Sequence, residues 1–307
     1  MLFLSRYIAC FFVYFVVMKV VGFSFIKNAV KFQYPVEEAL RSILPLCDEV
    51  VVAVGNSDDN TRNIVAGTDA KIKILDTVWD ESLKQGGRVL AAETDKAFNA
   101  IGNDADWCIY IQGDEVMHED GHAEVMDAMH KWKDDKGVDG LLFRYRHFYG
   151  SFDYLGASSK WYRNEIRVIK NNKNIYSYRD AQGFRKGNNE KLRVKPLKAY
   201  IHHYGWVREP GAMRAKDNNF GRYWKGDAWV EQAQKTYTGA FDYSNIDALE
   251  KFTGTHPAVM QQRIAQMNWT FDYDPSYNNL KLKDRFKNNL EKITGRRFFD
   301  YKNYVLV

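Results

Sequence analysis

Four short, apolar, β-branched runs recur with helical segments between them, and this alternation limits the chain to few folds. The runs are Val20–Ile26, Glu49–Val54, Lys71–Leu75 and Trp107–Ile111. Continuous apolarity over so few residues describes strands buried on both faces. The segments between them carry helix signals. Pro35 sits at a first turn ahead of Val36, Ala39, Leu40, Ile43 and Leu44, and Leu90, Thr94, Ala97, Phe98 and Ile101 form a second stripe. Strands joined through helices pair in parallel and are covered on both faces, so the expectation is an α/β fold with a mostly parallel sheet. Each acidic or glycine-rich turn here follows a strand. All of them should therefore meet along the carboxyl edge of the sheet, where open α/β sheets bind ligands.

After Gly140 the texture changes. Leu141–Tyr145, Ile166–Lys170 and Ala199–Tyr204 read as further strands between aromatic and polar loops. From Pro210 onward the spacing predicts helices at about 212–224, 228–237, 257–267 and 280–294. Three parts are expected: a hydrophobic extension at 1–17, an α/β domain at 18–205, and a mainly helical region at 206–307 packing on it. The apolar stretch Tyr7–Met18 is too short to span a bilayer, and no small-x-small cleavage site follows it. It reads as a dispensable extension or weak membrane-surface anchor, with a secretion signal as the lesser reading. Charged residues at 27% and hydrophobic residues at 45% of the 307 describe a folded globular chain. A net charge of +5, without zinc-finger spacing or a basic recognition helix, gives no reason to expect a nucleic-acid partner. Cys10, Cys47 and Cys108 form no framework, which suits a reducing, cytoplasmic setting.

The last of the four runs enters Gln112-Gly113-Asp114-Glu115. Adjacent carboxylates just past a strand's carboxyl end are hard-oxygen ligands suited to Mg²⁺ or Mn²⁺ on a diphosphate. An acidic strand-to-helix turn is the plainer alternative.

Lys27-Asn28 after the first strand, Gly55–Thr61 after the second and Gln112–Glu115 after the fourth fall in an order and spacing that resembles a family-2 glycosyltransferase with the GT-A fold, over about residues 18–205. The family's second-strand turn reads Asp-Asp-Gly-Ser-x-Asp-x-Thr, and Ser57, Asp59 and Thr61 match it. Its metal motif is Asp-x-Asp; Asp114 and Glu115 match the second acid and the residue after it, while Gln112 replaces the first. The resemblance implies a GT-A-like (Rossmann-like) sheet flanked by helices, with a C-terminal helical extension. It implies transfer of a sugar from a nucleotide-diphosphate donor to a glycan or lipid-linked acceptor, by inversion, in cell-surface polysaccharide synthesis, with Mn²⁺ or Mg²⁺ as cofactor. The ion would be held by Asp114, Glu115 and a later histidine, His203 rather than His202.

The donor's base and ribose would lie against Lys27, Asn28, Asn56, Asp58 or Asp59, and Asp76, with Gln112 beside them. The acids at 58 and 59 read equally as a helix cap. Gly87 and Arg88 would meet a phosphate at a helix start, although glycine is as readily loop punctuation. The base that deprotonates the acceptor would be Asp180, with Glu165 as the alternative; an ion pair with a neighbouring arginine is the plainer role for each. Trp161 and Trp206 would stack on acceptor sugars, as would Tyr162 and Trp224, unless they are simply core. Lys281–Arg297 is basic enough to rest on anionic lipid, consistent with a peripheral position at the cytoplasmic face of a membrane. Two further readings compete: a sugar nucleotidyltransferase, whose glycine-rich basic loop is missing after Ile26, and an inactive nucleotide- or sugar-binding protein, which Gln112 would permit.

Overall fold

The computed structural model describes residues 18–83, 85–236, 238–294 and 301–307; the extension at 1–17 and Arg297 lie outside them. In chain order the elements are β1 (Val20–Ile26), α1 (Val36–Ile43), β2 (Glu49–Gly55), α2 (Thr61–Thr68), β3 (Ile72–Thr77), α3 (Arg88–Asn99), β4 (Trp107–Tyr110), β5 (Glu115–Met117) and α4 (His122–Trp132). They continue with β6 (Gly140–Tyr149), β7 (Tyr154–Gly156), β8 (Asn164–Lys170), β9 (Ile175–Tyr178), β10 (Gly183–Lys186), β11 (Glu190–Trp206), α5 (Pro210–Lys225) and α6 (Asp227–Thr236). The last are β12 (Leu249–Lys251), α7 (Gln261–Ala265), α8 (Leu282–Thr294) and β13 (Tyr304–Leu306).

The expected architecture is present. Strands β3-β2-β1-β4 are adjacent and parallel. The alternation of side chains along β1 divides the core in two. Val20 and Ile26 pack with Leu40 and Ile43 of α1 on one face, while Val21 and Phe23 pack with Ala97 and Phe98 of α3 on the other. Beyond β4 the sheet becomes mixed. β8 runs antiparallel to both β4 and β6, and β6 runs parallel to β11.

The C-terminal region is less helical than its spacing suggested. The helices fall where expected, but β12 pairs with β7 and β13 adds to the start of β11. Such three-residue pairings have no sequence period long enough to see. Among the described residues no helix is long and apolar enough to cross a membrane.

Two features of β11 position the site. Its far end pairs with β5, setting His203 opposite Glu115. Its pairing with β6 then slips between His203 and Trp206, a bulge that re-aims the side chains there.

Candidate active site

The turns after β1 and β2 are knotted together. Asn28, left-handed at φ 55°, donates its amide to Ser57 Oγ, and its side-chain oxygen accepts from the Asp58 amide, both at 3.0 Å. Thr61 Oγ1 accepts from the Ala29 amide at 2.7 Å, and Asp59 accepts from the amides of Lys31 and Thr61. The motif residues Ser57, Asp59 and Thr61 thus shape the rim. Lys27, Asn28, Asn56 and Asp58 face a cavity of about 810 Å³ beyond it. Gln112, Asp114 and His203 line the same cavity, and so do Trp161 and Trp206.

Its roof is α5. Glu209 caps that helix by accepting from the Ala212 amide, and Pro210 fits its first turn. Lys216, Asp217, Phe220, Arg222 and Trp224 therefore overhang the cavity. Sequence reasoning did not assign Lys216 or Arg222. The available signal was the short Val207–Glu209 link, which obliges the helix to start beside the strand that carries His203.

The centre is Asp114, His203 and Lys216. Asp114 Oδ2 lies 3.7 Å from His203 Nε2 and 3.5 Å from Lys216 Nζ. Lys216 also donates to the Gly205 carbonyl at 2.7 Å. Burial opposes ionisation of Asp114, but the cationic groups around it, Lys216 and Arg208 among them, outweigh it and hold the carboxyl below its ordinary range. Burial and the nearby Arg208 bring Lys216 down to about 7. Gly205 leaves room for this arrangement: a Cβ there would stand 2.5 Å from His203 Cε1 and 2.9 Å from Asp114 Oδ2.

A chain of hydrogen bonds sets the histidine tautomers. His147 Nε2 is 3.0 Å from the Tyr162 carbonyl, which can only accept, so that nitrogen carries the proton. Burial keeps both His147 and His203 below their ordinary pKa, hence neutral. His147 Nδ1 is then an acceptor, and His203 Nδ1, 3.2 Å away, donates to it. The lone pair of His203 is left on Nε2, facing the Asp114 carboxylate. A carboxylate and an imidazole lone pair turned to one point, with the imidazole's far nitrogen tied down, are groups that could hold a divalent cation. The chemistry of this donor pair, hard oxygen with imidazole nitrogen, fits such an ion, and among the described residues no three His, Cys, Asp or Glu side chains gather there, so Asp114 and His203 would be its only two protein ligands from that set.

Glu115 is a correction to the expected ligand set. It is fully buried, and its carboxylate forms a bidentate pair with Arg167, at 2.7 Å to both Nε and Nη2. Tyr145 donates to it as well, and the Gln112 amide reaches it at 3.2 Å. With its oxygens spent on these partners, it anchors the turn rather than facing the cavity. Gln112 in turn has a physical reason to be an amide. Its Nε2 donates to the Ala181 carbonyl at 3.0 Å and to Tyr110 Oη at 3.2 Å, which a carboxylate in its place could not do.

The remaining candidates divide. Asp180 lines the cavity wall, half-buried, and burial raises its pKa. It is flanked by left-handed Arg179 and Ala181, at φ 58° and 62°, a strained turn held by Gln112. Glu165 does not line the cavity. It is 5% exposed, pushed up to about 8 by burial, and lies against Gly183, beside Asn303, so it is corrected from alternative base to a buried neutral acid. Asp76 is corrected too: it pairs with Arg62 on the surface, at 2.7 Å. Asp59 is the turn brace described above. Gly87 packs directly on Asp180, where a Cβ would stand 2.7 Å from the aspartate's own. Arg88 lies outside the main cavity, on the far side of Asp180. The indoles of Trp161 and Trp206 meet edge-on at 6.2 Å along the wall.

No protein-family model and no curated protein matches this sequence. Among solved structures, glucosyl-3-phosphoglycerate synthase from Mycobacterium tuberculosis, in complex with Mn²⁺, uridine diphosphate and phosphoglyceric acid, is 18% identical over 43% of this chain and 43% of its own, with a TM-score of 0.29. S. aureus TarS 1-349 in complex with UDP-GlcNAc is 15% identical over 72% of each chain, with a TM-score of 0.39. The same fragment without that ligand is 12% identical over 67% of this chain and 65% of its own, with a TM-score of 0.37. The chain thus spans less than half the length of the synthase it matches.

Proposed function

We propose that this chain is a glycosyltransferase that moves a sugar from a nucleotide-diphosphate donor to an acceptor hydroxyl. One observation carries this reading: Asp114, the Nε2 lone pair of His203 and Lys216 converge in a cavity that also holds the β1 and β2 turns and Asp180. A nucleoside laid against Lys27, Asn28, Asn56 and Asp58 would bring its diphosphate towards Asp114. A divalent cation, Mn²⁺ or Mg²⁺, held by Asp114 and His203 would supply Lewis acidity to the leaving diphosphate.

The chain's own groups do the rest. Lys27 and Lys216 add positive charge where the leaving group gains negative charge. The roof from α5 shields the reacting centre from water. Asp180 takes the proton of the acceptor hydroxyl as its oxygen bonds to the anomeric carbon. The bonding pair of the broken C–O bond leaves with the nucleoside diphosphate, and attack from the face opposite it inverts the anomeric centre. Burial lifts Asp180 toward the working range of a general base. The acceptor class we infer is a glycan or lipid-linked sugar, as in polysaccharide synthesis, supported by the exposed indole of Trp224 beside Asp180.

The test is a panel of nucleotide-diphosphate sugars with and without Mn²⁺, read by release of nucleoside diphosphate. Asp180→Asn should lower transfer by about 10²–10⁴-fold with nucleotide binding intact by calorimetry. Full turnover in that variant would remove Asp180 as the base, and no nucleotide binding in the wild type would end the reading altogether.

A further inference from the structure

A second cavity, of about 670 Å³, opens on the other side of Asp180, between the start of α3 and the β9–β10 turn. It shares Asp180 and Trp224 with the donor cavity. Asp95, Ser177, Arg179 and Gln182 border it alone, and nothing in the transfer described above uses them.

Three observations define what this cavity would hold. Its charge is balanced, because Arg88 and Arg179 are matched by Asp95 and Asp180. A phosphate or carboxylate would therefore meet two acids as well as two guanidiniums. A ligand with many uncharged hydroxyls would instead find acceptors and donors side by side.

Next, an internal polar group lacks a partner. Ser177 is 6% exposed, and among the described residues its Oγ makes no hydrogen bond. Its amide donates to Asp95 Oδ1 at 2.7 Å, which fixes the carboxyl at the same wall. A buried hydroxyl without a partner is destabilising. Together the hydroxyl and the carboxyl make this side of the cavity a polar wall.

Finally, Trp224 is 51% exposed at the border of the two cavities, with one face stacked on Phe220 at 6.0 Å. The face of an indole is electron-rich. It therefore suits the weakly positive C–H face of a pyranose.

We propose that the second cavity is the acceptor subsite and that it takes an uncharged sugar ring, packed on Trp224 with its reacting hydroxyl turned to Asp180. This rests on the glycosyltransfer reading. The hydroxyl oxygen forms the new bond to the anomeric carbon, its proton passes to Asp180, and the pair from the broken bond departs with the diphosphate. The strained turn at Arg179–Ala181, tied down through Gln112, holds Asp180 on the border where both substrates reach it.

The experiment uses the full chain and two panels of oligosaccharides, one neutral and one phosphorylated or uronate-bearing, with binding read by saturation-transfer NMR without donor. Neutral sugars should bind, and Ala92→Phe, which fills the second cavity only, should weaken them at least tenfold. Nucleotide affinity, measured in parallel by calorimetry, should stay unchanged in that variant. Gln182→Ala, which adds no bulk, guards against a packing defect and should weaken the same sugars about threefold or more. Neutral sugars that bind both variants as they bind wild type would overturn the proposal, as would binding of the anionic panel alone or of neither panel. Loss of nucleotide binding in the wild type, with sugars still bound, would instead overturn the reading of the donor cavity.

Discussion

Asp114 and Glu115 are adjacent in the chain and meet opposite fates. Asp114 faces an open cavity beside a histidine lone pair and a lysine. Glu115 begins β5 and points the other way, into a dry pair with Arg167 whose guanidinium also lies over the rings of Tyr110 and Tyr145. Asp114 is the last residue of the turn and Glu115 the first of the strand, so the two side chains leave the backbone in different directions. One is placed for chemistry and the other holds it in place, although both would serve equally well as metal ligands in solution.

The largest effect should come from breaking the buried side. Glu115→Ala strands the Arg167 guanidinium in the interior and should cost about 3–5 kcal/mol of stability, read by denaturant unfolding. A loss below about 1 kcal/mol would mean the pair is not the anchor it looks to be. On the open side, Asp114→Asn should leave the unfolding midpoint nearly unchanged while lowering turnover about 10²–10³-fold. If stability and turnover fell together in both variants, the division of labour would fail. Gly205→Ala sharpens the contrast further. The added methyl separates His203 from Asp114 and should weaken Mn²⁺ binding about 10–100-fold, measured by paramagnetic relaxation without donor, with the Glu115 pair untouched.

The smallest effect is one of pH. Glu165 carries a folded pKa of about 8 against an ordinary 4.5, so between those values the folded chain holds a proton that the unfolded chain has released. Stability should therefore fall as pH rises through that window. Glu165→Gln should flatten the fall, by a few kcal/mol at most near pH 8. An unchanged pH–stability curve would show that the acid is solvated or already charged.

Much of the fold was legible because its signals are local. The four apolar runs, Pro35, Pro210 and the helical stripes each act within a few residues, and a parallel sheet with helices on both faces follows from them; the order β3-β2-β1-β4 is set by pairing across the sheet. The turns at Asn28, Asn56 and Asp114 were legible for the same reason: each follows a parallel strand and must reach one edge. The very short strands β12 and β13 were not, since three residues carry no period.

What the chain's order of residues determined alone is therefore the layered α/β frame and the rim where its turns converge. Only the tertiary structure decided which acid on that rim faces the cavity. That choice depends on partners far away in sequence: Arg167 and Tyr145 draw Glu115 inward, the relay from Tyr162 through His147 turns a lone pair of His203 toward Asp114, and α5 brings Lys216 over the top. A carboxylate's role follows from the charges and hydrogen bonds that surround it, and those neighbours are set by folding rather than by adjacency along the chain.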